Sequence, residues 1–204
     1  MRKGKPTWWK DAVEFLLKDE ILGPVVKTYP GEGLNSKGDI FESVIRSIVG
    51  QQISVKASQS IWNRLIEYVG GKVTPENILK FTPEELATVG LTKPKSRYIH
   101  GLANDADKFI LDDWSKLNDE DLKKHMVKFK GIGPWTAEMV MMFSLLRPDV
   151  FSVKDLGLVK GVQKLVPEAK TKESVEKVAE RWKPYRTAAS WYLWRMQDPV
   201  PVEY

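Results

Sequence analysis

The stretch Phe129-Lys130-Gly131-Ile132-Gly133-Pro134-Trp135-Thr136-Ala137 decides the fold. A helical run ends near Lys128, two glycines follow one residue apart, and Pro134 opens a second run carrying Met139, Val140, Phe143 and Leu145. Glycine tolerates positive φ, so Gly131 and Gly133 allow a tight backbone turn in that conformation. Proline suits the first turn of a helix, where its missing N–H would have no partner anyway. Such a hairpin leaves backbone N–H groups uncovered at a helix N-terminus, where the dipole attracts an anion. Lys128 and Lys130 add charge beside that point, and Thr136 sits in the first turn beyond it. A grip of this kind holds a phosphate and reads no base. An ordinary connection between two helices is also Gly-rich, and glycine spacing alone does not separate the two readings.

Outward from the hairpin the periodicity stays helical. After Asp39, apolar residues fall at Ile40, Phe41, Val44, Ile45, Ile48 and Val49, a stripe along one helix face. A second run reads Val55, Ala57, Ile61, Trp62, Leu65, Ile66 and Val69, and stops at Gly70-Gly71. Thr74-Pro75 and Thr82-Pro83 are both cap-then-proline starts, the second completing a capping box at Glu85. A further run carries Tyr98, Ile99, Leu102, Ala103, Ala106 and Phe109, and Asn118 is placed to cap the helix that leads into the hairpin. The stretch from Gly23 to Gly38 reads as a loop, and Asp198-Pro199-Val200-Pro201 as a short tail. No segment alternates with period two for long enough to form a sheet, so the predicted fold is all-α.

Composition narrows the function classes. The 204 residues carry 32 Lys and Arg against 27 Asp and Glu, a net charge of +5 that favours a phosphate-bearing partner only weakly. There is no cysteine, which excludes disulfides, cysteine-ligated zinc and iron–sulfur clusters, and two histidines are too few for a histidine-rich metal site. No run approaches the roughly 18 apolar residues of a membrane span. The chain therefore reads as intracellular, without a signal peptide and without a membrane partner, in the cytoplasm or nucleoid of a prokaryote or the nucleus of a eukaryote. A monomer is the simplest expectation. Eight tryptophans are many for this length and read mainly as core and lobe packing.

The segment FKGIGPWTA resembles the hairpin of the helix-hairpin-helix DNA glycosylase superfamily, whose signature adds an aspartate-bearing loop downstream. That loop is matched by Phe151-Ser152-Val153-Lys154-Asp155-Leu156-Gly157-Leu158, with Asp155 20 residues beyond Trp135. Upstream, Ile48-Val49-Gly50-Gln51-Gln52-Ile53-Ser54-Val55 is similar to the family's segment that enters DNA. Downstream, Glu180 through Trp194 resembles the C-terminal helix of the 3-methyladenine DNA glycosylase II branch. The match runs from about Asp39 to Trp194, and four motifs in the right order are more specific than any one.

The resemblance implies one glycosylase unit over 1–204 with two helical lobes and DNA in the cleft between them. The terminal segments, about 1–38 and 150–204, form one lobe; the central bundle, about 39–149 with its hairpin at 129–134, forms the other. It implies a monofunctional enzyme that removes alkylated purines from damaged double-stranded DNA. Asp155 would be the catalytic carboxylate, since breaking the base–sugar bond passes through a cationic sugar; an Asp before Leu156-Gly157-Leu158 also suits a helix cap. Trp135 and Trp194 are first choices for stacking on an extruded cationic base, with Trp191, Tyr192 and Met139 as further lining. Gln52 would fill the gap in the stack, with Ile53 as a second wedge, although a polar helix end explains Gln51-Gln52 equally simply. Trp135 stands where relatives with lyase activity carry a Schiff-base lysine. No cofactor is required, but carbonyls of Val127, Phe129 and Ile132 would hold a structural sodium or potassium ion. Two rivals remain: a hairpin module that only binds duplex DNA, and a bifunctional glycosylase/lyase for oxidised bases.

Overall fold

The computed structural model describes residues 4–36 and 38–198. Of the predicted C-terminal tail only Asp198 is among them; Pro199, Val200 and Pro201 lie outside the described residues. The fold is helical: α1 (Trp9–Leu16), α2 (Gly23–Thr28), α3 (Ile40–Gly50), α4 (Val55–Tyr68), α5 (Pro75–Ile78), α6 (Pro83–Ala87), α7 (Lys93–Asn104), α8 (Ala106–Phe109), α9 (Asp119–Met126), α10 (Pro134–Phe143), α11 (Leu156–Leu165), α12 (Lys172–Ala179) and α13 (Arg186–Arg195). Among the described residues there is no strand, only an isolated bridge between Gly4 and Ser36.

The chain forms two compact units, one from residues up to Gly38 with those from Met141 onward, the other from Asp39 to Val140. The sequence placed the second crossing near 149–150; it falls inside α10, because Phe143 stacks on Trp194 of the first unit with ring centroids 5.6 Å apart.

In the second unit, α3 is the central helix. Ile40, Phe41, Val44, Ile45, Ile48 and Val49 are all buried, and α3 packs on α4 and α7. Each fully buried side chain of this size stabilises by about 1.5–3 kcal/mol. Asp39 starts the helix by accepting from the Glu42 amide at 2.9 Å. Thr74 and Asn118 cap as their sequences predict, and Thr82 with Glu85 forms the reciprocal capping box. Caps of this kind are worth about 1 kcal/mol each. In the first unit, α13 is central: Thr187 through Trp194 are all buried, with α11 and α1 packed against them. Trp62 and Trp182 are fully buried, and Trp9, Trp114 and Trp191 nearly so, which is the packing role expected for most of the tryptophans.

Three local expectations need correction. The segment after Gly23 is not all loop: α2 forms there, because Asp19 Oδ1 accepts from the Ile21 and Leu22 amides and Pro24 fits a first turn. The run from Tyr98 to Phe109 breaks at Asp105 (φ −98°, ψ 17°) into α7 and α8. The break turns Phe109 into an edge-to-face contact with Phe129 at 5.2 Å, under the hairpin. Helix α10 stops at Phe143, short of Leu145, since Leu146 takes φ 53° and the Arg147 amide folds back to the Met141 carbonyl.

Candidate active site and DNA-binding hairpin

The second unit carries the hairpin and the turn predicted to enter DNA. Between α9 and α10, Gly131 has φ +90°. A Cβ built on it would lie 2.6 Å from both Cβ and Cγ of Tyr98 on α7, so this glycine is required by conformation and by close approach. Of the two hairpin glycines only Gly131 takes positive φ; Gly133 does not. A Cβ there would meet nothing within 4 Å, so the space over the start of α10 is open and glycine serves access. Lys128 and Lys130 are exposed beside it, as is Val127. Ile132 is buried, anchoring the turn in the core, and its amide donates to the Phe129 carbonyl at 3.1 Å. His125 supports the hairpin from below: its Nε2 lies 2.9 Å from the Phe109 carbonyl, which places a proton on that nitrogen. Thr136 is buried and faces inward, its hydroxyl accepting from Gln51 Nε2 at 2.9 Å; Gln51 also donates to the Gly131 carbonyl at 2.9 Å. Gln51 thus ties the upstream motif to the hairpin, a contact across 80 positions that nothing in the local pattern announces.

The segment Gly50–Ile53 is a turn. Gln51 has φ −54° and ψ 128°, Gln52 has φ 58°, and the Ile53 amide approaches the Gly50 carbonyl at 3.5 Å. These are type II values, and the corner held by Gln52 normally belongs to Gly or Asn. Gln52 and Ile53 are both exposed. A strained glutamine presented to solvent points to use of its side chain rather than to backbone need. Gln52→Gly is therefore expected to raise stability by about 1 kcal/mol, seen as a melting point a few degrees higher.

The first unit carries the carboxylate. The loop beyond α10 is fastened at successive points. Trp8 Nε1 donates to the Leu146 carbonyl at 2.8 Å, the Thr187 hydroxyl donates to the Arg147 carbonyl at 2.6 Å, and the Val150 amide donates to that hydroxyl at 3.0 Å. Arg186 grips both oxygens of Asp149, at 2.7 and 3.0 Å. The loop ends at Asp155, which is half-buried and caps α11. Its Oδ1 accepts from the Leu158 amide at 2.9 Å and from Trp194 Nε1 at 3.0 Å. Trp194 is only 9% exposed and is itself held by the Phe143 stack. A Cβ on Gly157 would sit 3.0 Å from Asp155 Oδ1 and 3.1 Å from Trp194 Cδ1, so a side chain there would crowd the pair. The cap reading of Asp155 holds, and the helix end fixes the direction of its carboxylate.

The remaining predicted pocket residues are placed as follows. Trp191 and Tyr192 are buried against Trp9, at 5.7 and 6.0 Å between ring centroids. Burial, with Glu32 adding to it, pushes the Tyr192 hydroxyl up to about 12. In the second unit Trp135 is half-buried on α10, while Met139 is 1% exposed. Lys154 is exposed next to Asp155, and so is Leu156.

The chain belongs to the HhH-GPD superfamily of base excision DNA repair proteins, which it matches over residues 45–184. It is 31% identical, over 90% of its length, to the DNA-3-methyladenine glycosylase of Bacillus subtilis, of which it spans 65%. It is 34% identical, over 85% of its length, to DNA-3-methyladenine glycosylase 1 of Schizosaccharomyces pombe, of which it spans 79%. A 3-methyladenine DNA glycosylase of the same yeast, solved in complex with abasic DNA, shares the fold with a TM-score of 0.82 and 32% identity, covering 92% of this chain and 96% of that one. Among the described residues no helix is long and apolar enough to cross a membrane.

Proposed function

We propose that this protein is a monofunctional DNA glycosylase that hydrolyses the N-glycosidic bond of alkylated purines, of the 3-methyladenine type, in duplex DNA, opening base excision repair. The observation that carries the reading is the carboxylate of Asp155, locked by the α11 amide and the Trp194 indole. As the base departs, positive charge grows on the sugar, and a carboxylate already oriented stabilises it without reorganisation and directs the attacking water. A methylated purine carries its own positive charge, so it leaves without a strong general acid, which is why one carboxylate suffices where sugar-bond hydrolases usually pair two.

Trp135 is the assigned stacking surface for the extruded cation, indole being the best ring for that purpose. Trp194 serves the carboxylate first, through its N–H. Gln52, with Ile53 beside it, fills the emptied position in the duplex, where glutamine can hydrogen-bond the orphaned partner base. The hairpin amides at Gly131 and Gly133, with Lys128 and Lys130, take the phosphates. The carbonyls of Val127, Phe129 and Ile132 would hold a structural sodium or potassium ion, since neutral oxygens suit a monovalent cation and the Phe129 carbonyl keeps a lone pair beyond the one given to the Ile132 amide.

Incubation with methylated duplex DNA is expected to release free 3-methyladenine and to leave an intact abasic strand. Borohydride added to that reaction should trap no protein on DNA, because Trp135 occupies the lysine position that Schiff-base chemistry requires. Release of no methylated base overturns the reading, and a covalent adduct overturns its monofunctional part.

A further inference from the structure

The turn that presents Gln52 is held by a side chain that none of the steps above uses. Lys95, in the first turn of α7, donates from Nζ to the Val49 carbonyl at 2.8 Å and to the Gln51 carbonyl at 2.7 Å. Both acceptors lie at the C-terminal end of α3, where unpaired carbonyls carry the negative pole of the helix and a cation is favoured. Burial lowers the pKa of this ammonium, whereas Lys93, Lys128 and Lys130 are exposed. Lys95 is thus turned into the protein, onto the backbone, and not outward to a phosphate.

The Gln51 carbonyl is the decisive acceptor. It belongs to the central peptide of the Gly50–Ile53 turn, and types I and II differ by a flip of that peptide. In type II it forces the following residue to positive φ; after the flip that residue relaxes to φ near about −90°. Glutamine gains nothing from positive φ by itself, so the turn needs an external hold. Lys95 supplies it by fixing the direction of the Gln51 carbonyl, while the Gln51 side chain is tied to Gly131 and Thr136. Three residues along the same face of α7, Tyr98 backs Gly131. One helix therefore sets both the turn and the hairpin.

We propose that Lys95 is a positioning residue that selects the type II conformation of the Gly50–Ile53 turn and so aims Gln52 into the base stack. The aim rests on the glycosylase reading, but the turn selection does not, and the test separates them. The probe is a duplex with a tetrahydrofuran abasic analogue opposite 2-aminopurine, whose fluorescence reports insertion of a side chain at the gap without any chemistry. K95M is expected to remain folded, with a cooperative melt, and to bind this duplex within about threefold of the unmodified protein, since the hairpin contacts survive. Its fluorescence step should shrink severalfold, and single-turnover release of 3-methyladenine should slow by about tenfold. K95R, which keeps the donors, should restore both. In a Gln52→Asn background the K95M loss should shrink, because Asn accepts positive φ unaided; a general packing defect would not respond to residue 52. This background also decides the matter if K95M alone melts without cooperativity.

A wild-type fluorescence step and excision rate in K95M, or a K95M loss of equal size in the Gln52→Asn background, overturns the role of Lys95 and leaves the glycosylase standing. If the unmodified protein releases no methylated purine yet gives a step that K95M loses, Lys95 keeps its role and the glycosylase reading falls. Binding by the unmodified protein with no step removes the plug and Lys95 together.

Discussion

Asp155→Asn should abolish base release while leaving the protein folded and bound to DNA. Asparagine offers the same oxygen to the Leu158 amide and the Trp194 indole, and it caps helices as well as aspartate does. Melting should therefore shift by less than about 1 kcal/mol in stability. The hairpin, with its exposed lysines, is untouched, so fluorescence anisotropy on an abasic duplex should change little. What disappears is the negative charge proposed to meet the cationic sugar. Removing one preorganised electrostatic contact costs about 10²–10³ in rate, and loss of a full charge at the reacting carbon should reach or exceed the upper figure. Single-turnover release of 3-methyladenine measures it. Asp155→Ala is a poorer probe, because it also removes the cap and leaves the Trp194 N–H without this acceptor. Excision by the Asn variant at the unmodified rate would end the catalytic assignment.

The parts of this fold legible in the sequence are those whose cause is local. A threonine followed by proline, or an asparagine before three acids, satisfies amides within its own first turn, so the starts of α5, α6 and α9 could be read directly. The stripe after Asp39 likewise marks a helix because its spacing is intrinsic to one. What escaped reading is made by distant contacts. Trp194 reaches Asp155 across 39 positions, Lys95 reaches Gln51 across 44, and Trp8 reaches Leu146 across 138. No periodicity encodes such pairs. The Gln51-Gln52 pair shows the limit well. Two adjacent identical residues take opposite roles, one turned inward to the hairpin and one outward, because the turn reverses the chain direction between them. Helix α2 was hidden for a different reason: glycine and proline signal a loop by composition, yet Pro24 is favourable in a first turn and Gly23 is there for fit. A Cβ at Gly23 would lie 2.7 Å from the Leu17 carbonyl oxygen.

The two hairpin glycines, alike in sequence, should separate sharply when replaced. In Gly131→Ala the new methyl would stand 2.6 Å from Tyr98 Cβ, an atom fixed by the α7 backbone that cannot rotate away. The residue would also be held at φ +90°, which costs a residue with a Cβ about 1–2 kcal/mol. Overpacking adds roughly 1–3 kcal/mol. Together these are a large part of the 5–15 kcal/mol that typically holds a protein folded. A substantially lower melting point is expected, and binding should fall with it, because relief of the clash moves Gly131 off α7 and strains the Gln51 hydrogen bond. Gly133→Ala meets neither obstacle: its φ is not positive and the space beyond its Cβ is empty. That variant should melt within about 1 kcal/mol of the unmodified protein yet lose DNA affinity by about tenfold or more, because the methyl covers the helix N-terminus a phosphate must approach. Chemical denaturation and anisotropy on the same two samples give the comparison. If Gly133→Ala bound duplex DNA unchanged, the phosphate would not dock over the start of α10, and the open space there would need another explanation.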